Sequence, residues 1–253
     1  MTKLIVILGI SGKQGGSVAR TFLQDPSWEV RGISRNPSSA PCQELIKQGA
    51  QIFAGSVNSR DFLITAFQGA HTIFANTDFW STYRDPSSKS LLAKGQTINE
   101  YSFQTEVQQG KNIAEAASKI KTLELFIWSD LVGAHETSGG KWKWVYHFDA
   151  KAAVEKYIKQ EQPGLSLKTS YFIPGPYVAN METFWKPVKQ SDGAYLLQQP
   201  GSGDVPFYWI DAVQDSGMFV KALTELGPGK KLLGYGSTMS LREAIKLWGE
   251  VRG

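Results

Sequence analysis

Cysteine is nearly absent from this chain. Cys42 is the only one among 253 residues, so no disulfide can form within the chain. That usage fits a reducing compartment, the cytosol or the nucleus. Long apolar runs are missing too: none approaches the roughly 20 residues of a membrane-spanning helix. The first apolar run leads straight into glycines without a small-residue cleavage pattern, so neither a signal peptide nor a membrane partner is expected. Charge of one sign is also scarce, with a formal net charge of only +4. The basic pairs at 119–121, 141–143 and 230–231 are short and scattered. They read as solvated surface, and no direct nucleic-acid partner is expected. The three histidines, His71, His135 and His147, stand far apart, so no metal site is expected. No G-x-S-x-G nucleophile motif appears.

What is present is concentrated at the start. Leu4, Ile5, Val6, Ile7 and Leu8 run into Gly9, Gly12 and Gly15. An apolar run without polar alternation reads as a strand buried on both faces. Behind the glycines, Val18, Ala19, Phe22 and Leu23 fall on one side of a helix. A G-x-x-G-x-x-G turn between a strand and a helix lets a pyrophosphate approach the backbone without a Cβ in the way. The helix then points its first amides at that space. Gly9, Ser11, Gly12, Lys13, Gln14 and Gly15 are therefore candidate dinucleotide ligands. The alternative is a glycine-rich structural turn.

The same rhythm continues. Strands are predicted at 29–35, 50–55, 71–76, 123–129 and 165–172. Helices are predicted at 44–48, from Asn58 or Ser59 to Phe67, at 100–119 and at 148–160. Alternating strands and helices mean α/β architecture: a Rossmann-type, doubly wound parallel sheet with right-handed crossovers. Residues 78–97 are polar without a clear period and read as a long loop, either a lid or disorder. From Ile173 onward prolines punctuate shorter elements. The expected division is a nucleotide-binding domain over 1–172, to which some later segments return, and a smaller C-terminal α/β substrate lobe over 173–253. Ser240 and Glu243 have the form of a capping box. The helix they open is barely complete when the sequence stops, so a missing C-terminal piece is expected.

The end of the second predicted strand selects the cofactor. An NAD site usually offers a carboxylate to the ribose there. Here Ser34, Arg35 and Asn36 offer none, and Arg35 suits a 2′-phosphate through a charge-assisted fork. That points to NADP(H), against the alternative of an ordinary surface arginine. Gly55, Ser56 and Val57 close the third strand, where an adenine would lie. Asn76 and Thr77 close the fourth, beside the expected ribose.

Several of these segments resemble the NmrA-like proteins, atypical relatives of the short-chain dehydrogenases/reductases. The stretch from Gly9 to Arg20 resembles that family's opening, and Val30 to Pro37 resembles its second strand. Gln108 to Asn112, His147 to Tyr157 and Gly201 to Pro206 resemble further family motifs. The resemblance runs along nearly the whole chain, and it implies that Arg35 contacts the 2′-phosphate of NADP. It also implies a family divided in function. Some members are oxidoreductases, including tailoring enzymes of fungal secondary metabolism. Others bind the cofactor as redox sensors or regulators of transcription factors. By position and by resemblance, Tyr171, Phe172 and Ile173 are expected over the nicotinamide.

A typical short-chain reductase carries a Ser, and a Tyr four residues before a Lys on one helix face. Lys151 fits the lysine, as a ribose ligand or as a solvated helix lysine. Ser129 fits the serine. Four residues before Lys151 stands His147 rather than tyrosine. His147 is either a proton donor, given its near-neutral ordinary pKa, or a packing group. Phe79, Trp80, Trp142, Trp144 and Tyr177 are candidate substrate contacts, a pocket for a flat or greasy molecule, or else lobe-to-lobe packing. Two functions follow. One is an NADP(H)-dependent oxidoreductase acting on a small aromatic or polycyclic metabolite. The other is an NADP(H)-sensing regulator acting through a partner protein.

Overall fold

The computed structural model describes residues 2–252. The chain begins β1 (Lys3–Leu8), α1 (Lys13–Leu23), β2 (Trp28–Ser34), α2 (Ala40–Lys47), β3 (Gln51–Ala54), α3 (Arg60–Ala66) and β4 (Thr72–Ala75). It continues through α4 (Phe79–Arg84), α5 (Ile98–Ala117), β5 (Leu125–Ser129), α6 (Ala134–Thr137), α7 (Tyr146–Glu161), α8 (Pro163–Ser166) and β6 (Thr169–Pro174). It closes with β7 (Val188–Lys189), β8 (Tyr195–Leu196), β9 (Pro206–Trp209), α9 (Ser216–Leu226), β10 (Lys231–Gly234), β11 (Ser237–Ser240) and α10 (Leu241–Arg252).

Seven of the strands form one sheet in the order β10-β6-β5-β4-β1-β2-β3, and every pairing in it is parallel. Alternation across each strand feeds two hydrophobic layers. Val6, Leu8, Ile73, Phe126 and Trp128 face the layer under α3, α5 and α7. Ile5, Ile7, Phe74, Ile127 and Phe172 face the layer under α1, α2 and α9. A sheet covered on both sides explains why its strands read as unbroken apolar runs. The order reverses between β1 and β4, and such a switch point opens a crevice at the carboxyl ends of the strands.

After β6 the chain divides its residues between two bodies. α9 packs on α1 and β10 extends the main sheet beside β6. Met181, Trp209, Leu241 and Ala244 instead form a separate small core, with Trp185, Phe207 and Trp248 against it. The capping box appears as read: the Glu243 amide donates to Ser240 Oγ, and Glu243 accepts from the Ser240 amide.

Two expectations fail locally. Residues 78–97 are not one long loop: they carry α4 and a 3-10 turn over Pro86–Leu91. Asp78 accepts from the Trp80 amide and Asp85 from the Ser87 amide, so side-chain caps hold elements too short to show a period. The sixth strand does not begin at Leu165. Pro163 opens the short helix α8 instead, because proline suits the first turn of a helix.

Candidate functional site

The glycine loop turns sharply after β1. Gly9 has φ +62°, a left-handed conformation that glycine adopts without strain. The Gly12 amide bonds the Gly9 carbonyl at 2.8 Å. A Cβ on Gly15 would lie 2.2 Å from that same carbonyl oxygen, so only glycine lets α1 start this close to β1. The cap of α1 is Gly12, with no side-chain cap bond and no acidic residue in the first turn. Its leading amides are therefore left for an anion. Gln14 is buried; its Nε2 donates to the Tyr177 hydroxyl at 2.6 Å, while its Oε1 has no partner. Lys13 Nζ stands 5.8 Å from the Tyr177 ring centre. Tyr177 thus sits at the phosphate end of the crevice. Burial raises the pKa of its phenol, partly opposed by the Gln14 bond.

The loops after β2, β3 and β4 line the same edge. Ser34 is buried, and its hydroxyl accepts from the Asn36 amide. Arg35 is exposed beyond it. Its charge reaches Asp85, whose carboxyl is held below its ordinary range chiefly by bonds from Ser87. Gly55, Ser56 and Val57 follow β3, where Asn112 of α5 donates to the Val57 carbonyl at 3.2 Å. Asn76 lies directly beside Gly9: a Cβ there would stand 2.8 Å from Asn76 Oδ1.

Next to Asn76 the site becomes charged. Lys151 Nζ donates to the Thr77 carbonyl at 2.6 Å and to Thr77 Oγ1 at 2.7 Å. It also lies 3.1 Å from Glu106 Oε1. Thr77 Oγ1 in turn donates to Glu106 Oε1 at 2.7 Å. Glu106 is only 1% exposed and Lys151 8%, so Lys151 is not a solvated helix lysine. Two of the three donors of its ammonium go to Thr77, and Glu106 supplies the countercharge. Removing one member of such a buried pair strands the other charge. Sequence reading passed over Glu106. Its signal was a carboxylate on the small, apolar stripe of α5, in line with Ser102, Gly110 and Ile113.

His147 opens α7 one turn before Lys151. Its ring lies 5.0 Å from Trp80, 6.0 Å from Phe79 and 4.9 Å from Phe148. Burial lowers its pKa, opposed by the charges of Glu106 and Asp149, so the imidazole is neutral at pH 7. Phe184, which the motifs did not mark, packs edge-on against Trp80. Ser129 is buried at the end of β5. Trp142 and Trp144 stand apart from this cluster on the segment before α7, 55% and 73% exposed. Tyr171 and Phe172 send their side chains into the two opposite hydrophobic layers. Ile173, half-buried, is the one of the three outside those layers.

A second charged group lies behind β5. Asp130 is 1% exposed with neither carboxylate oxygen bonded. Burial, reinforced by Glu155, raises its pKa to about 7, and Lys231 partly opposes the shift. Two surface grooves, of about 420 and 460 Å³, lie elsewhere, one beside Arg60, Glu115 and Tyr157 and one beside Trp185, Phe207 and Arg242. Neither includes the glycine loop. Among the described residues no group of three His, Cys, Asp or Glu can hold a metal ion, and no helix is long and apolar enough to cross a membrane.

Comparison with known proteins agrees with this geometry. The family model described as the NmrA-like family matches residues 1–253. An NmrA-like family domain-containing protein of Dictyostelium discoideum is 27% identical over 88% of this chain and 68% of its own length. The NmrA-like family domain-containing oxidoreductase notA of Aspergillus sp. (strain MF297-2) is 26% identical over 87% of this chain. The chain spans 63% of that relative's length. Among solved structures, NmrA, described as a negative transcriptional regulator and crystallised in complex with NADP, superposes with a TM-score of 0.76. The match covers 95% of this chain and 68% of that one at 23% identity.

Proposed function

We propose, from the premise that this chain belongs to the NmrA-like family, that it binds NADP(H) at the β1/β4 crevice. There it serves as an oxidoreductase for a small aromatic or polycyclic metabolite. The observation that carries the cofactor is the backbone cradle: uncapped α1 amides approached through Gly9, Gly12 and Gly15. A pyrophosphate fits it because backbone amides and the helix dipole favour an anion there. Arg35 stands where the 2′-phosphate would lie, with Ser34 beside it. Gly55, Ser56 and Val57 border the adenine, and Asn76 and Thr77 the ribose. The NADP complex of the NmrA structure and the oxidoreductase relatives support the reading.

When bound, NADPH supplies a hydride. The chain's own residues do the rest. Ser129 and Ile173 border the nicotinamide end, while Lys151 holds its charge beside Thr77 and orients the ribose. The cluster of Trp80, His147 and Phe184, backed by buried Phe79, offers ring faces and edges to an apolar ring substrate. With His147 packed among rings, Lys151 is the charged group beside the proposed ribose position. The small core around Trp209 belongs to the lobe that covers the substrate.

One observation favours a second reading, a cofactor-sensing regulator that acts through a protein partner. Two Lys151 donors are spent on Thr77, its charge is paired with Glu106, and His147 is packed among rings, so both candidate proton donors are tied into the protein's own contacts. The test is NADPH oxidation across a panel of carbonyl, enone and imine compounds, alongside NADPH binding. Turnover on an aromatic member is expected. Tight NADPH binding with no oxidation above background across the panel overturns the enzyme and leaves the sensor.

A further inference from the structure

We propose that Glu106 is a positioning residue for the cofactor: its carboxylate, with Thr77, holds the Lys151 ammonium at the carboxyl end of β4. This rests on the crevice being an NADP(H) site. A continuous chain of contacts leads there from the glycine loop. Gly9 abuts Asn76, and Thr77 is the next residue. Thr77 takes two bonds from Lys151, 74 positions later in the chain. Glu106 Oε1 then receives both the Thr77 hydroxyl and the ammonium.

Each link is needed by the next. Without Glu106, an ammonium packed 5.3 Å from the centre of the Trp128 ring would lack a countercharge in a buried site, and the cost would fall on its placement. The other oxygen, Glu106 Oε2, is buried without a partner. Glu106 therefore keeps acceptor capacity on the carboxylate that faces the ammonium through Oε1. A carboxylate kept only for the fold would be expected to have both oxygens satisfied. When a ribose hydroxyl enters, it takes one Lys151 donor from Thr77, and Glu106 retains the charge pairing throughout.

The experiment is a double-mutant cycle on NADPH affinity, with thermal unfolding of the ligand-free proteins in parallel. Glu106→Gln keeps the shape and the Thr77 bond but loses the charge. It is expected to weaken NADPH about tenfold, as does Lys151→Met, since bonds to charged groups carry about that much. In the Lys151→Met background, Glu106→Gln is expected to change affinity by less than about twofold, because Glu106 acts through Lys151. Glu106→Asp recovers most of the loss, and Thr77→Val costs about threefold. If Glu106→Gln does not fold, Glu106→Asp and Thr77→Val carry the test. Unchanged affinity in the folded variants, or losses from Glu106→Gln and Lys151→Met that simply multiply, overturns the inference alone. A wild-type protein that binds no NADPH overturns the reading of the crevice, and this inference with it.

Discussion

The two ends of the crevice are built in opposite ways. At the phosphate end the working groups are backbone amides, and the side chains that matter are the ones missing from Gly9, Gly12 and Gly15. At the Lys151 end the working groups are side chains from four separate elements: Thr77 after β4, Glu106 on α5, Trp128 on β5, and His147 with Lys151 on α7. The first end is set chiefly by near neighbours in the chain, with Lys13 and the Gln14–Tyr177 bond at its edge. The second is assembled at long range around a buried charge pair. A steric cradle tolerates no added atom, whereas a charge network tolerates shape-preserving changes and fails when its balance is broken.

The largest effect should come from the cradle. Gly15→Ala places a methyl 2.2 Å from the Gly9 carbonyl oxygen, so the loop must shift. NADPH affinity should fall about a hundredfold or more, with a loss of about 3 kcal/mol in urea unfolding. Wild-type binding by this variant would erase the contrast between the two ends. A smaller, selective effect is expected at Arg35. Arg35→Ala should weaken NADPH about thirtyfold while NADH changes by less than about twofold. Equal losses for the two cofactors would sink the 2′-phosphate assignment.

The smallest effect extends the charge logic behind β5. The pKa of Asp130 is raised from 3.8 to about 7 by burial. In this window the folded state binds the proton more tightly than the unfolded chain does. The contribution to stability is therefore full below pH 3.8 and is lost as pH rises through about 7. Asp130→Asn, which is neutral throughout, should stabilise the protein at pH 8 by roughly 1–2 kcal/mol and hardly at all at pH 4. A pH-independent difference in melting would show that the carboxyl does not titrate there.

The same contrast decides what was legible in the residues. The glycine loop, the run from Leu4 to Leu8 and the Ser240–Glu243 box each depend on near neighbours, so spacing alone exposed them. Short helices such as α4 did not show, because a single turn held by Asp78 has no period to detect. Tyr171 and Phe172 are adjacent in the chain, and only the sheet shows that strand alternation turns their side chains into opposite layers. Glu106 was hidden among helix-face residues, and only its partners reveal why a carboxylate stands there.

The sequence by itself determined the architecture and the place of the crevice, and it supplied Arg35 as the proposed contact for a 2′-phosphate. These follow from periodicity, backbone freedom and charge type, which are properties of short segments. Only the tertiary structure decided the state of the Lys151 end. It paired the lysine with Glu106 beside Thr77 and packed half-buried His147 against Trp80, Phe79 and Phe148. It also buried Asp130 behind β5. Burial and partnership at long range set the charge of a group, and neither is a property of the residue or of its neighbours in the chain.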